Sequence, residues 1–159
     1  MPNRDLDQAE LEQLVQDLAA QPERWRHLVQ HRPDERTYAE LHRDEHVAIW
    51  LICWMDDHDT GYHDHDLSAG AVAVTAGAVR EERLVLGGAP AARTANAGEA
   101  FTFGPADIHR VSHVGGEPAV TIHAYSPPLW RMGQYSISSS GVLRRHAVSY
   151  ADELRPLDP

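Results

Sequence analysis

Histidines carry the clearest chemical potential in this chain. The 159 residues include eleven of them, and two stand in Thr60-Gly61-Tyr62-His63-Asp64-His65. In a strand, residues two apart point the same way, so His63 and His65 share one face and Asp64 takes the other. Two imidazoles side by side begin a metal site, because their Nε atoms can reach one ion about 2.0–2.2 Å away without backbone distortion. A bare His-x-His is also a common surface pattern, so the pair needs further ligands before it means a metal. Composition narrows the remaining chemistry. All fourteen basic residues are arginine, which removes a lysine Schiff base and a lysine general base. Against 24 acidic residues they leave a formal charge of −10. That argues against nucleic acid or an anionic membrane as the main partner, since either needs a basic surface. The lone cysteine, Cys53, can form neither an internal disulfide nor a Cys-rich zinc site.

The elements that must position these residues can be read from pattern. The length suits one domain, and 42% apolar against 24% charged residues predicts a real core. Leu6, Leu11, Leu14, Val15 and Leu18 recur near helical spacing, with Asp5 or Asp7 placed to cap the start. Pro22 suits the first turn of a second short helix over 23–29, and Pro33 ends it. From Thr37 the texture changes to short apolar runs. Strands are predicted at 47–54, 71–77, 78–86, 100–103, 108–114, 119–125, 133–137 and 142–149, separated by Gly, Pro, Asn or Ser clusters. Many short strands with no helix between them imply an antiparallel sandwich or barrel. The division expected is a helical extension over 1–33, a β-barrel over 34–150 and a loosely held tail over 151–159, all one domain. The longest apolar run, residues 47–55, falls short of the ~18 residues that cross a bilayer, and Met1-Pro2-Asn3-Arg4-Asp5 lacks an apolar signal core. A soluble, cytoplasmic protein with no obligate protein partner is expected.

Two motifs add a resemblance. His65 is followed by Asp66-Leu67-Ser68-Ala69-Gly70 and an apolar strand ending at Gly77, and further on comes Gly98-(x)5-Gly104-Pro105-Ala106-Asp107-Ile108-His109. These segments resemble the two motifs of the cupin superfamily. The resemblance implies an all-β fold, a small cupin jelly-roll barrel with the N-terminal helices packed outside, and a third histidine at His109. Gly70 stands where the usual cupin glutamate would be, and His113 where the second motif has asparagine. The implied inner shell is three neutral histidines. They leave a divalent ion its full charge and open positions for a thiolate, a carboxylate or amine, and dioxygen. They would equally suit catalytic zinc.

Further on, His109-Arg110-Val111 is followed by Glu117-Pro118-Ala119-Val120-Thr121-Ile122-His123-Ala124-Tyr125-Ser126-Pro127-Pro128-Leu129. Together with Cys53-Trp54-(x)8-His63-Asp64-His65, this resembles the type I cysteine dioxygenase family over roughly residues 36–135. Members are cupins that use non-haem Fe(II) and O2 to turn a thiol into a sulfinic acid. The resemblance implies His63, His65 and His109 as ligands of one Fe(II) per chain. It implies Thr121, His123 and Tyr125 as the counterpart of the family's Ser-x-His-x-Tyr relay, Trp54 as a pocket wall, and a cis Ser126–Pro127 bond. A small thiol and O2 would be the partners. Since histidines bind metal only when neutral, iron affinity is expected to fall below about pH 6.5.

Departures from the family bear on the substrate. The position of the cysteine that crosslinks to the relay tyrosine in animal members is Gly70, so no crosslink can form, and Cys53 reads as an inert core thiol. Counted from Tyr38, the family's carboxylate-clamping arginine is replaced by Glu40, which would repel a carboxylate. Either Arg43 or Arg36 turns inward, with Tyr38 and Trp54 beside the substrate, or the thiol differs from cysteine; 3-mercaptopropionate is one alternative. A zinc or nickel cupin of hydrolase or isomerase type, or a cupin that only binds a ligand, would use the same three histidines without needing the Thr121-His123-Tyr125 line. His27, His31, His42, His46, His58 and His146 read as surface or loop histidines.

Overall fold

A capped amphipathic helix precedes a long run of strands. In the computed structural model the backbone is described for residues 1–149 and the side chains for residues 1–147; the tail expected at 151–159 lies outside the described residues. Helix α1 (Gln8–Ala19) opens on Asp7, whose side chain accepts from the Glu10 N–H at 2.8 Å while Glu10 reaches back to the Asp7 N–H, a complete capping box. The strands are β1 (Thr37–Arg43), β2 (Ala48–Trp54), β3 (His63–Asp64), β4 (Ala69–Ala76), β5 (Ala78–Arg83), β6 (Ala91–Asn96), β7 (Ala100–Phe103), β8 (His109–Val114), β9 (Ala119–Ser126), β10 (Arg131–Ile137) and β11 (Leu143–Ser149). They form two antiparallel sheets, one ordered β1-β2-β9-β4-β7 and the other β11-β10-β3-β8-β5-β6. The chain is therefore an all-β jelly-roll barrel with one α-helix outside it. Among the described residues, no helix is long and apolar enough to cross a membrane.

The five-stranded sheet is buried on both faces, and period-two alternation sorts its residues. Ile49, Leu51 and Cys53 of β2, Ala71 and Ala73 of β4, and Val120, Ile122 and Ala124 of β9 pack outward against Leu11, Val15 and Leu18 of α1. Ile52, Trp54, Val72, Val74 and Tyr125 point inward, where they meet Val79, Val111 and Met132 of the other sheet. This double burial makes β2 continuously apolar and leaves β9 apolar on its outward face, while its inward face carries Thr121, His123 and Tyr125. It also settles Cys53, which lies under α1 on the face turned away from the barrel interior. The β4–β5 turn needs a glycine: Gly77 has φ +66, and a Cβ there would sit 2.7 Å from the Pro118 carbonyl oxygen.

Some expectations require correction. The helix predicted over 23–29 is two 3-10 turns, Pro22–Arg24 and Arg26–Leu28. Trp25 breaks them apart, because its buried indole N–H donates to the Leu18 carbonyl at 2.8 Å and ends α1. Strand β5 stops at Arg83, short of the predicted 86. Strand β6 was not predicted, and β1 was expected only through the resemblance, which sets Tyr38 on a strand before that of Trp54. Their sequences, Thr37-Tyr38-Ala39-Glu40-Leu41-His42-Arg43 and Ala91-Ala92-Arg93-Thr94-Ala95-Asn96, are polar or alanine-rich edge strands held by backbone pairing to β2 and β5. His58, read as a surface or loop histidine, is in a loop but buried, accepting from the Met55 N–H at 2.8 Å and reaching the Pro33 carbonyl at 3.1 Å.

Candidate metal centre

Strand β3 is only two residues long, yet it is gripped from both sides. It pairs with β8, setting His63 directly opposite His109, and with β10. Asp64 points away from the barrel interior, where its carboxylate accepts from the Gly133 N–H (2.9 Å), the Tyr135 hydroxyl (2.6 Å) and the Arg145 Nε (3.0 Å). His63 is thereby turned inward, and His65 follows it at the same phase. The rings of His63, His65 and His109 form a near-equilateral triangle with centroids 4.7 to 4.9 Å apart, all edge-to-face. Each offers a ligand nitrogen, and these atoms lie within 4.8 Å of one another.

Hydrogen bonding shows which nitrogens are available. The Nδ1–H of His63 donates to the Gly61 carbonyl at 2.9 Å, and that of His109 donates to Glu81 Oε2 at 2.7 Å. Both rings therefore present Nε2. His65 is 1% exposed, and neither of its nitrogens meets a hydrogen-bond partner in the described structure. A polar group stranded in this way costs about 1–3 kcal/mol, and a cation shared by the three rings removes that cost. Burial pushes His63 down to about 4 and puts His65 and His109 well below the ordinary imidazole value; the neighbouring rings add to the effect on these last two. All three are neutral, as metal ligation requires. The donor set fits a divalent transition metal.

A second line of groups approaches the triangle along β9. Thr121, His123 and Tyr125 share its inward face, flanked by Ile52, Trp50 and Ala48 of β2. The Trp54 Nε1–H donates to Thr121 Oγ1 at 2.8 Å. Thr121 Oγ1 lies 2.7 Å from His123 Nε2, within hydrogen-bond reach, and donates to the Ile52 carbonyl at 3.4 Å. On the other side of the ring, His123 Nδ1 and Tyr125 Oη are hydrogen-bonded at 3.2 Å. Burial first, then the charge of Arg36, holds His123 at about 3, so its imidazole is neutral. Tyr125, 4% exposed, lies with its ring 5.6 Å from that of His65. The Ser126–Pro127 bond is cis.

The remaining residues singled out above fall into two groups. Arg36, 6% exposed, packs its guanidinium 5.0 Å from the Trp54 ring and 5.6 Å from the ring of Tyr38, and its charge lowers both His63 and His123. Arg43 stands apart, its Nε 3.1 Å from Glu40 Oε2 and its guanidinium 5.9 Å from the Trp50 ring. Trp54 is fully buried and serves as head of the donor line. His113 bonds the Glu117 carbonyl at 2.6 Å and is not part of the triangle.

Two neighbours of the centre escaped sequence reasoning. Phe103 stacks on His65 with centroids 4.2 Å apart, and a Cβ at Gly70 would lie 2.2 Å from that ring. The phenyl ring thus fills the space that a larger side chain at residue 70 would take. Glu81 is 2% exposed and bonds His109. Its only sequence signal is its phase: it shares the inward face of β5 with Val79, although Arg80-Glu81-Glu82-Arg83 reads as a solvated charge run.

The family model described as "Cysteine dioxygenase type I" matches residues 2–138. No curated protein matches the chain. Among solved structures, the protein TT1209 of Thermus thermophilus is similar at 16% identity and a TM-score of 0.57, covering 64% of this chain and 92% of its own. An uncharacterized protein with a double-stranded β-helix domain from Klebsiella pneumoniae gives 15% identity and a TM-score of 0.57, over 64% of this chain and 80% of that one. A cupin superfamily protein from Desulfitobacterium hafniense gives 10% identity and a TM-score of 0.56, over 66% and 89%. At these identities the likeness establishes the cupin fold alone.

Proposed function

This chain belongs to the cysteine dioxygenase type I family, and from that premise we propose that it is a non-haem iron-dependent thiol dioxygenase acting on L-cysteine or a related small thiol. The observation that supports this most is the meeting, inside one barrel, of three imidazoles and a buried phenol fed by its own donor line. A hydrolytic or binding-only cupin has a use for the imidazoles but none for that line. His63, His65 and His109 would hold one Fe(II), which when bound supplies the activation of thiol and dioxygen. The reaction RSH + O2 → RSO2H balances without an external reductant.

The chain's own residues do the rest. Tyr125 holds a proton at Oη beside His65, where it can be offered to the developing sulfur–oxygen charge. His123 keeps that hydroxyl oriented, and Thr121 and Trp54 fix the imidazole tautomer. Phe103 and Trp54 exclude water from two sides. Arg36 is the cation that would face a substrate carboxylate, in place of the arginine that Glu40 replaces. Arg43, engaged with Glu40, is not given that role.

The test is a panel of cysteine, 3-mercaptopropionate, mercaptosuccinate and cysteamine on iron-loaded protein, scored for O2 uptake and sulfinate. The carboxylate-bearing thiols should be oxidised, and Arg36→Gln should raise their KM at least tenfold. Turnover of cysteamine as efficient as that of cysteine would remove Arg36 from substrate binding. No O2 uptake with any thiol would overturn the dioxygenase reading.

A further inference from the structure

Glu81 is an acid buried inside the barrel, which costs several kcal/mol unless the charge is well paired. Its Oε2 accepts the His109 Nδ1–H at 2.7 Å and the Arg83 guanidinium at 3.2 Å, and its Oε1 accepts the Arg93 Nε–H at 3.0 Å. On its strand it sits between Val111 of β8 and Arg93 of β6. No packing need calls for a carboxylate opposite a valine. Meanwhile the three nitrogens of the triangle are neutral, and the Phe103 ring, 2.2 Å from where a Cβ of residue 70 would lie, leaves no room for an acid there.

We propose that Glu81 is a positioning residue that supplies the metal centre with the negative charge its direct ligands lack. By accepting the Nδ1–H it fixes His109 in the tautomer that presents Nε2 and makes that nitrogen a more basic donor. The carboxylate so acts one ring further out than a direct ligand would. Arg83 and Arg93 temper its charge, and they do so unequally. Arg83 is tied also to Asp107 and to the Thr102 carbonyl. Arg93 is half exposed at a cavity of about 410 Å³ beside β5, β6 and β7, its guanidinium over the Phe101 ring, so a glutamine can replace it from the solvent side.

The test is metal affinity and reduction potential, neither of which requires turnover. Glu81→Gln keeps the shape and an acceptor oxygen but loses the charge. In chelator competition with Zn(II) or Co(II) it should bind 10–100-fold more weakly than wild type. On iron-loaded protein it should favour the ferrous state by about tenfold, a rise of about 59 mV in midpoint potential. Arg93→Gln should move the potential the opposite way, because it frees the carboxylate of one cation without touching His109. Wild-type affinity and potential in Glu81→Gln, or shifts of one sign in both variants, would overturn the proposal. If Glu81→Gln does not fold, Arg93→Gln decides alone, and an unchanged potential there overturns it. Failure of the wild-type protein to bind any of these metals would instead overturn the metal-centre reading itself.

Discussion

His63 and His123 lie inside the barrel with their imidazoles pushed to about 4 and about 3, first by loss of water and then, for His123, by the charge of Arg36. An unfolded histidine takes up its proton near 6.5. Between 6.5 and about 4 the unfolded chain therefore binds protons that the folded chain refuses, and stability must fall as pH drops through that window. Each unit is about 1.4 kcal/mol per group. The urea midpoint of metal-free protein should accordingly fall from pH 6.5 toward 4; a flat midpoint across the window would contradict the buried neutral rings. The same burial revises the expectation that metal affinity declines below pH 6.5, because folded His63 stays neutral to about 4. Tyr125→Phe belongs to this scale too. It removes only the terminal hydroxyl of the donor line, so metal content should hold while turnover falls roughly 10²-fold. A full-speed variant would take the phenol out of the mechanism. The His-x-His pair was legible from period two alone, and the rest of the set from its resemblance to known motifs. Glu81 was not legible, because one buried acid inside Arg80-Glu81-Glu82-Arg83 looks like its solvated neighbours.

At the scale of elements, the centre depends on a strand of two residues. β3 cannot hold itself, and Asp64, between the two histidines, ties it to β10 and β11 through Gly133, Tyr135 and Arg145. Asp64→Asn should weaken this charge-assisted network by about 1–3 kcal/mol. That corresponds to a drop of roughly 2–10 °C in Tm, with weaker metal binding alongside. An unchanged Tm would show that β3 is held by its backbone ladders alone. Elements whose side chains decide their fate were readable from sequence: β2 is apolar on both faces, and β9 is buried on both, because α1 covers one face and the barrel the other. Strand β6 was not, since Ala91-Ala92-Arg93-Thr94-Ala95-Asn96 has almost no buried side chain and is placed by its ladder to β5.

For the whole molecule, two separate cores divide the work. The outer core, between α1 and the five-stranded sheet, holds the framework and contains Cys53. The inner core lies between the sheets and surrounds the reactive groups. This separation makes the barrel a rigid support on which imidazoles from β3, the residue after it and β8, and hydroxyls from β9, converge, and it keeps the chain's own thiol away from them. The fold class followed from many short strands without intervening helices, whereas the depth at which Arg36 sits depended on the register of β1, which its polar sequence does not announce.

The most direct measurement of the central claim is isotopic. Iron-loaded protein would be supplied with cysteine under ¹⁸O2 and the product weighed by mass spectrometry, with His65→Ala in parallel. Two ¹⁸O atoms in each sulfinate, and no product from the His65→Ala protein, are the predicted results. Sulfinate labelled with one atom or none, or an equal yield from His65→Ala, would contradict a dioxygenase built on this triangle of histidines.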